Sequence, residues 1–325
     1  MGIFYCLTVI AMLAVFVLFK KSEEKVNLVN WCVISLVSYL AFNILVCMIF
    51  GCMNIRTDLL FLSIANLVVT AGLGFKIFKD KQIQKFEIRK QDIVGVIICV
   101  CVICHMAVSQ YAPLAKSVAN ASVDACMHYS ASVNFADEMI VLSKIDNQTG
   151  YNFKTMQTGA YINTGIFMNI VRDVLPMFED HVAFKLFETG IMTLMVLSFY
   201  ILVSDRITSK KSFVLTMVLL LLYAYAYPYT SLLHGFCYLS VAIVFITTLF
   251  YMAKHYAEKE VSFWVQLPII VLLGVGIIFS YCLFVPAIFA FICLYIFVKD
   301  FDKYFLRAWC YVYNLCILHL YHILD

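Results

Sequence analysis

The sequence predicts an all-α polytopic membrane protein, and three observations carry that expectation. Hydrophobic residues make up 64% of the 325 and charged residues 13%, where soluble domains run nearer half and a quarter. The apolar residues fall in unbroken runs, with mean hydropathy at +0.93. A run of about 18 or more with few charges suffices for a membrane-crossing helix, whereas a transmembrane barrel alternates in short segments. Finally, one long polar stretch between Gln110 and His181 interrupts the runs.

Ten spans are expected, at 3–19, 26–50, 59–78, 93–110, 183–203, 213–229, 232–253, 263–281, 283–298 and 304–322. The first is followed by Lys20-Lys21 and lacks a charged leader and a small-residue cleavage site. It reads as a retained span, not a signal peptide. The last is diluted by Asn314, His319 and His322 and is equally compatible with lying along the interface.

Cytoplasmic loops collect lysine and arginine. With the N-terminus outside, one assignment places all of the 23 basic residues in the inner loops except Arg56, Lys116, Lys144, Lys154, Arg172 and Lys185. Segment 111–181 is then extracytoplasmic, and the localisation is a multi-pass cell-membrane protein. The charged linker 79–92 suggests a boundary: a three-span N-terminal appendage over 1–91, then a seven-span core over 92–325.

Most of the 13 cysteines lie inside apolar runs, where they behave as small hydrophobes. The polar segment holds only Cys126, so it cannot close a disulfide on itself. No CxxC pairs with a second CxxC or with spaced histidines, so no metal site is indicated. The sequence indicates no cofactor, which leaves a divalent metal as an open alternative, and nucleic acid is not an expected partner.

Within the polar segment, 121–144 has helical character. Val123, Met127, Ala131, Phe135, Met139 and Leu142 form one apolar stripe, and Asp124 and His128 share a face. Residues 145–150 read as a turn. A second helix is expected over 156–175, stopping before Pro176, with Gly159 and Gly165 allowing close approach of a backbone or ligand. Two amphipathic helices on the outer membrane face would roof a cavity between the spans.

The pattern Asp124-x-x-x-His128-Tyr129 followed by Tyr161-Ile-Asn163-Thr-Gly165, set in a first large external loop after an outward-going span and before six more, resembles the C-type glycosyltransferase (GT-C) superfamily. Its members transfer sugars from lipid-linked phosphate donors. The resemblance covers residue 93 onward and rests mostly on topology. Two departures stand out: Asp124 lacks the second acid of the D-x-D or E-x-D pair that many members carry, and most members continue into further spans or a soluble domain.

The resemblance implies a membrane glycosyltransferase using a polyprenyl-(pyro)phosphate sugar. Such chemistry needs a carboxylate to accept the incoming hydroxyl's proton and charge or hydrogen-bond donors for the departing phosphate. Asp124 is the candidate base, with His128 orienting it or touching phosphate; the bland alternative is an acid in a helix's first turn, favoured by the dipole. Tyr129, Lys154, Tyr161, Arg172, His234 and Tyr281 are the candidate substrate contacts. For Arg172 the competing role is a surface ion pair, for Tyr281 an interfacial belt residue, and for His234 a helix cap. Asp137 and Glu138 point about 100° apart on a helix and fit a solvated face. Lys185 and Glu188, three apart at the start of a span, are ionisable candidates that snorkelling also explains. His105 reads as an interior histidine.

A transporter or flippase for lipid-linked sugar is the competing class. Transporters bury ionisable groups near the midplane and break helices there, while polarity in this chain gathers at one face. A catalytically inactive assembly partner is the third reading.

Overall fold

The computed structural model describes residues 1–22, 24–114, 123–141, 158–204, 207–234, 237–257 and 262–299. Lys154 and the expected span 304–322 lie outside them. The described residues are almost wholly helical: α1 (Gly2–Leu18), α2 (Leu28–Cys52), α3 (Leu59–Asp80), α4 (Lys90–Leu114), α5 (Val123–Glu138), α6 (Thr158–Val174), α7 (Asp180–Ser204), α8 (Lys210–His234), α9 (Cys237–Ala257), α10 (Phe263–Tyr281) and α11 (Phe284–Lys299).

Six helices, α2, α3 and α7–α10, are long and apolar enough to cross a bilayer; α1 is apolar but 17 residues long. Their outer surfaces are those of lipid-facing helices. Phe75 and Phe78 on α3 and Leu222 on α8 are exposed, Phe78 by 78%, and apolar patches of that kind do not persist on soluble monomers. Helix α2, by contrast, is largely buried and sits at the centre of the bundle. It packs against α10, α7, α9 and α6 as well as α1. The hydrophobic core holds residues of the leading helices together with residues of the later ones.

The loops that carry the basic residues meet at one end. There β1 (Val26–Asn27) pairs in parallel with β2 (Phe86–Glu87), and Ser262 N–H donates to the Lys21 carbonyl. The segment read as a charged linker is hydrogen-bonded into this end. Gln84 accepts from the amides of Lys21 and Ser22. Asp92 is wholly buried and accepts two hydrogen bonds from Arg89, one from Asn27 and one from the Tyr200 hydroxyl. A carboxylate can be buried only with such a set of donors. Asn27 also caps α2 by accepting from Asn30 N–H.

Lys21 closes α1 at the same end. Its ammonium donates to the carbonyls of Phe16, Val17 and Phe19 at 2.6–2.8 Å, which satisfies the orphan acceptors of a helix C-terminus. It also lies over the Phe16 and Trp31 rings, at 5.3 and 4.7 Å.

Two ends differ from expectation. The span expected to end at residue 229 runs on: α8 continues through Pro228 to His234, and apolar helices tolerate such prolines where neighbouring groups satisfy the freed carbonyl. Helix α5 stops at Glu138, short of 144, with Met139 at φ 53°. No proline or glycine ends it. The Met139 carbonyl is taken by the Thr57 amide and hydroxyl from the α2–α3 connection, so a tertiary contact terminates the helix.

Candidate functional site

Of the polar segment's described residues, those of the second helix do not lie on the bundle as a roof. Helix α6 is sunk into it, buried from Thr158 through Ile166 and packed against α1, α2, α5, α7, α9 and α10. The composition allows this. An added Cβ on Gly165 would lie 2.9 Å from the Ser132 carbonyl oxygen, and one on Gly159 would lie 3.1 Å from the Ser280 amide, so only hydrogen fits where α6 crosses α5 and α10. Asn163 supplies the polar link to α2: it donates to the Leu40 carbonyl at 3.1 Å and accepts from Asn43 at 3.2 Å. The Tyr161–Gly165 stretch thus seats one helix among its neighbours.

Helix α5 lies over α6, with Ala131, Phe135 and Met139 of the expected stripe all buried. Its two faces build two clusters. On one face His128 is buried, its ring 4.3 Å from that of Tyr238 on α9 and stacked 6.4 Å from Tyr161 on α6. Tyr238 in turn meets Tyr281 at 5.8 Å, and Tyr281 meets Phe284. Three residues singled out from the sequence (His128, Tyr161 and Tyr281) therefore belong to one aromatic group, joined by Tyr238. Burial pushes the Tyr161 phenol pKa up, so it stays neutral and can donate or accept but not act as a base. Asp124 is the second residue of α5, one turn before His128; its side chain and that of His234, the last residue of α8, lie outside the described set.

The other face holds Tyr129 and Arg172. Tyr129 stands edge-on to Phe184 at 5.5 Å, and its hydroxyl pKa is raised by burial and by Asp180, with Arg172 opposing. Arg172 donates to both Asp180 oxygens at 2.8 and 2.7 Å and to Asp137 at 2.8 Å. It therefore ties α5, α6 and α7 together, and its guanidinium is engaged by two carboxylates. Asp173 turns away to pair with the amino terminus at 3.2 Å and to accept from Gly2 N–H, which hold its carboxyl below the usual range.

Two features escaped notice or weight in the sequence. Tyr238 is one tyrosine among 20, and only the packing of α9 against α5 singles it out. Glu188 on α7 was a marginal candidate for snorkelling, yet its side chain is 3% exposed and ion-paired with Lys185 at 2.7 Å. His105, read as an interior residue, is exposed and bonded to the Tyr225 hydroxyl at 2.9 Å. Among the described residues no three of His, Cys, Asp and Glu converge as metal ligands. The chain matches no family model, no curated protein and no solved structure.

Proposed function

We propose that this protein is a membrane glycosyltransferase that moves a sugar from a polyprenyl phosphate or pyrophosphate to an acceptor hydroxyl at the extracytoplasmic face. One observation carries the reading: the only long polar segment seats α6 inside one end of an apolar bundle with α5 over it, and holds His128 between Tyr161 and Tyr238, one helical turn from Asp124. Aromatic side chains with a few convergent polar groups are the usual lining of a small-molecule site. The distribution of lysine and arginine supports the orientation.

In this reading the acceptor oxygen attacks the anomeric carbon as the bond from that carbon to the phosphate oxygen breaks. The acceptor's proton passes to Asp124, and the lipid phosphate leaves with the bonding electrons. His128 supplies an N–H toward the phosphate or orients the carboxylate, and the tyrosine faces flank the sugar ring. Arg172, held by Asp137 and Asp180, serves the site by fixing α5 and α6 rather than by meeting phosphate. The test is Asp124→Asn in membranes supplied with a radiolabelled polyprenyl-phosphate hexose. Transfer should fall by about 10²–10⁴-fold, the range for a general base; unchanged transfer removes Asp124 from the role.

The buried Lys185–Glu188 pair favours one alternative, translocation of the same lipid-linked sugar, since ionisable groups inside spans mark transport paths. The two readings separate on the donor: transfer consumes it and frees the lipid phosphate, whereas translocation moves it between leaflets intact.

A further inference from the structure

A cleft of about 1070 Å³ opens at the basic end of the bundle, between α1, α3 and α10. It is the opposite end from His128 and is independent of the reading given above. Its inner wall is apolar, formed by Phe16, Leu73, Ile77, Pro268, Ile269 and Leu272. Its mouth is polar. Lys20 and Lys76 stand there with Glu24 and Asp80, and Trp264, 78% exposed, stands beside them. An exposed tryptophan at the end of a spanning helix marks the level of lipid head groups.

The charges at the mouth decide what fits. The Lys21 ammonium also lines the cleft but is committed to three carbonyls. Lys76 lies over the Phe19 ring at 5.2 Å, and Lys20 donates to Gln82 at 2.6 Å. Among the described residues of the mouth, Lys20 and Lys76 thus stand with two carboxylates, Glu24 and Asp80, the latter a single turn from Lys76 on the same helix. A purely anionic head group would gain the lysines but meet the carboxylates. A choline head group would offer the carboxylates no hydrogen-bond donor. A phosphate carrying a primary ammonium satisfies both signs, and its acyl chains continue along the apolar wall.

We infer that this cleft binds a zwitterionic aminophospholipid, its phosphate between Lys20 and Lys76, its ammonium on Asp80 or Glu24, and an acyl chain against α3 and α10. The volume is at the upper end of small-ligand pockets, room for a head group and part of one acyl chain.

The experiment is competitive lipid retention by native mass spectrometry on the full chain in detergent. Phosphatidylethanolamine, phosphatidylglycerol and phosphatidylcholine with identical acyl chains are the probes. Phosphatidylethanolamine should be retained one per chain and preferred over both others. Lys76→Gln should weaken its retention about five-fold, the scale of one basic residue at a lipid head group. Asp80→Asn should weaken it comparably while raising retention of phosphatidylglycerol. Both side chains are exposed, so both variants fold, which thermal unfolding verifies. Equal retention of all three lipids, a preference for phosphatidylglycerol or phosphatidylcholine, or no effect of either substitution would overturn the assignment. None of these results bears on transfer at the other end.

Discussion

Replacing Arg172 with methionine keeps most of the side-chain stem and removes the guanidinium, so it isolates the clamp that joins α5, α6 and α7. The two bonds to Asp180 are charge-assisted and part-buried, and hydrogen bonds of that kind contribute about 1.5–3 kcal/mol. The bond to Asp137 faces solvent, with that carboxylate 54% exposed, and exposed pairs contribute roughly 0.2–1 kcal/mol. Arg172→Met should therefore cost about 2–4 kcal/mol, read as a lower Tm and denaturation midpoint in detergent. A double-mutant cycle then divides the loss. With Asp180→Asn the coupling should reach about 1.5–3 kcal/mol; with Asp137→Asn it should stay near or below about 1 kcal/mol. Arg172→Lys should recover only part, because an ammonium cannot make the two-pronged contact with Asp180. The reasoning is refuted if coupling to Asp137 equals or exceeds that to Asp180. It is refuted as well if Arg172→Met leaves stability untouched while abolishing transfer, for the guanidinium would then belong to the substrate.

Burial pushes the Lys21 pKa down from 10.5 to about 7, so between those values the unfolded chain holds more protons on this residue than the folded one. Stability should rise with pH through that window, by at most about 1.4 kcal/mol per unit; denaturant midpoints at pH 7, 8 and 9 check it, and the slope contribution should vanish in Lys21→Met. Gly165→Leu should force α5 off α6, since a Cβ alone would come within 2.6 Å of the Phe135 ring, at a cost of about 1–3 kcal/mol or more. Gly190→Leu on α7 has open space around it and is the control: it should leave Tm unchanged or slightly raised.

Much of the architecture was legible because a bilayer removes options. Every backbone group in hydrocarbon must be bonded within its own segment, so apolar runs become helices, and the run expected at 263–281 has those bounds as α10. Nine of the expected spans correspond to helices, six of them long and apolar enough to cross a bilayer. What could not be read was which face meets protein and which meets lipid, because apolar side chains serve both equally. Helices α2 and α3 are similar strings of leucine, isoleucine and valine, yet α2 is mostly buried and α3 mostly exposed. The polar residues differ in number: Asn30, Ser35, Ser38 and Asn43 are buried on α2, against Ser63 and Asn66 on α3, and interhelical contact sustains such a density.

The same ambiguity hid the depth of α6. Glycine, threonine and asparagine in a polar loop suggest a solvated helix, and the periodic apolar residues suggest one lying on a surface. Inside a bundle the same residues mean close packing. Small side chains allow backbones to approach, and an asparagine finds partners on the neighbouring helix, as Asn163 does on α2. The two chemistries coincide on paper and diverge in three dimensions. Had Gly159, Asn163 and Gly165 been read as a set at spacings of four and two, the insertion of α6 could have been anticipated. The imidazole of His128 would still have lacked its companions, because Tyr238 enters only through the packing of α9. A candidate acid and histidine can be proposed from an i,i+4 spacing; the walls around them come from α6 and from α9, the latter more than 100 residues away, and only the assembled bundle brings α9 in.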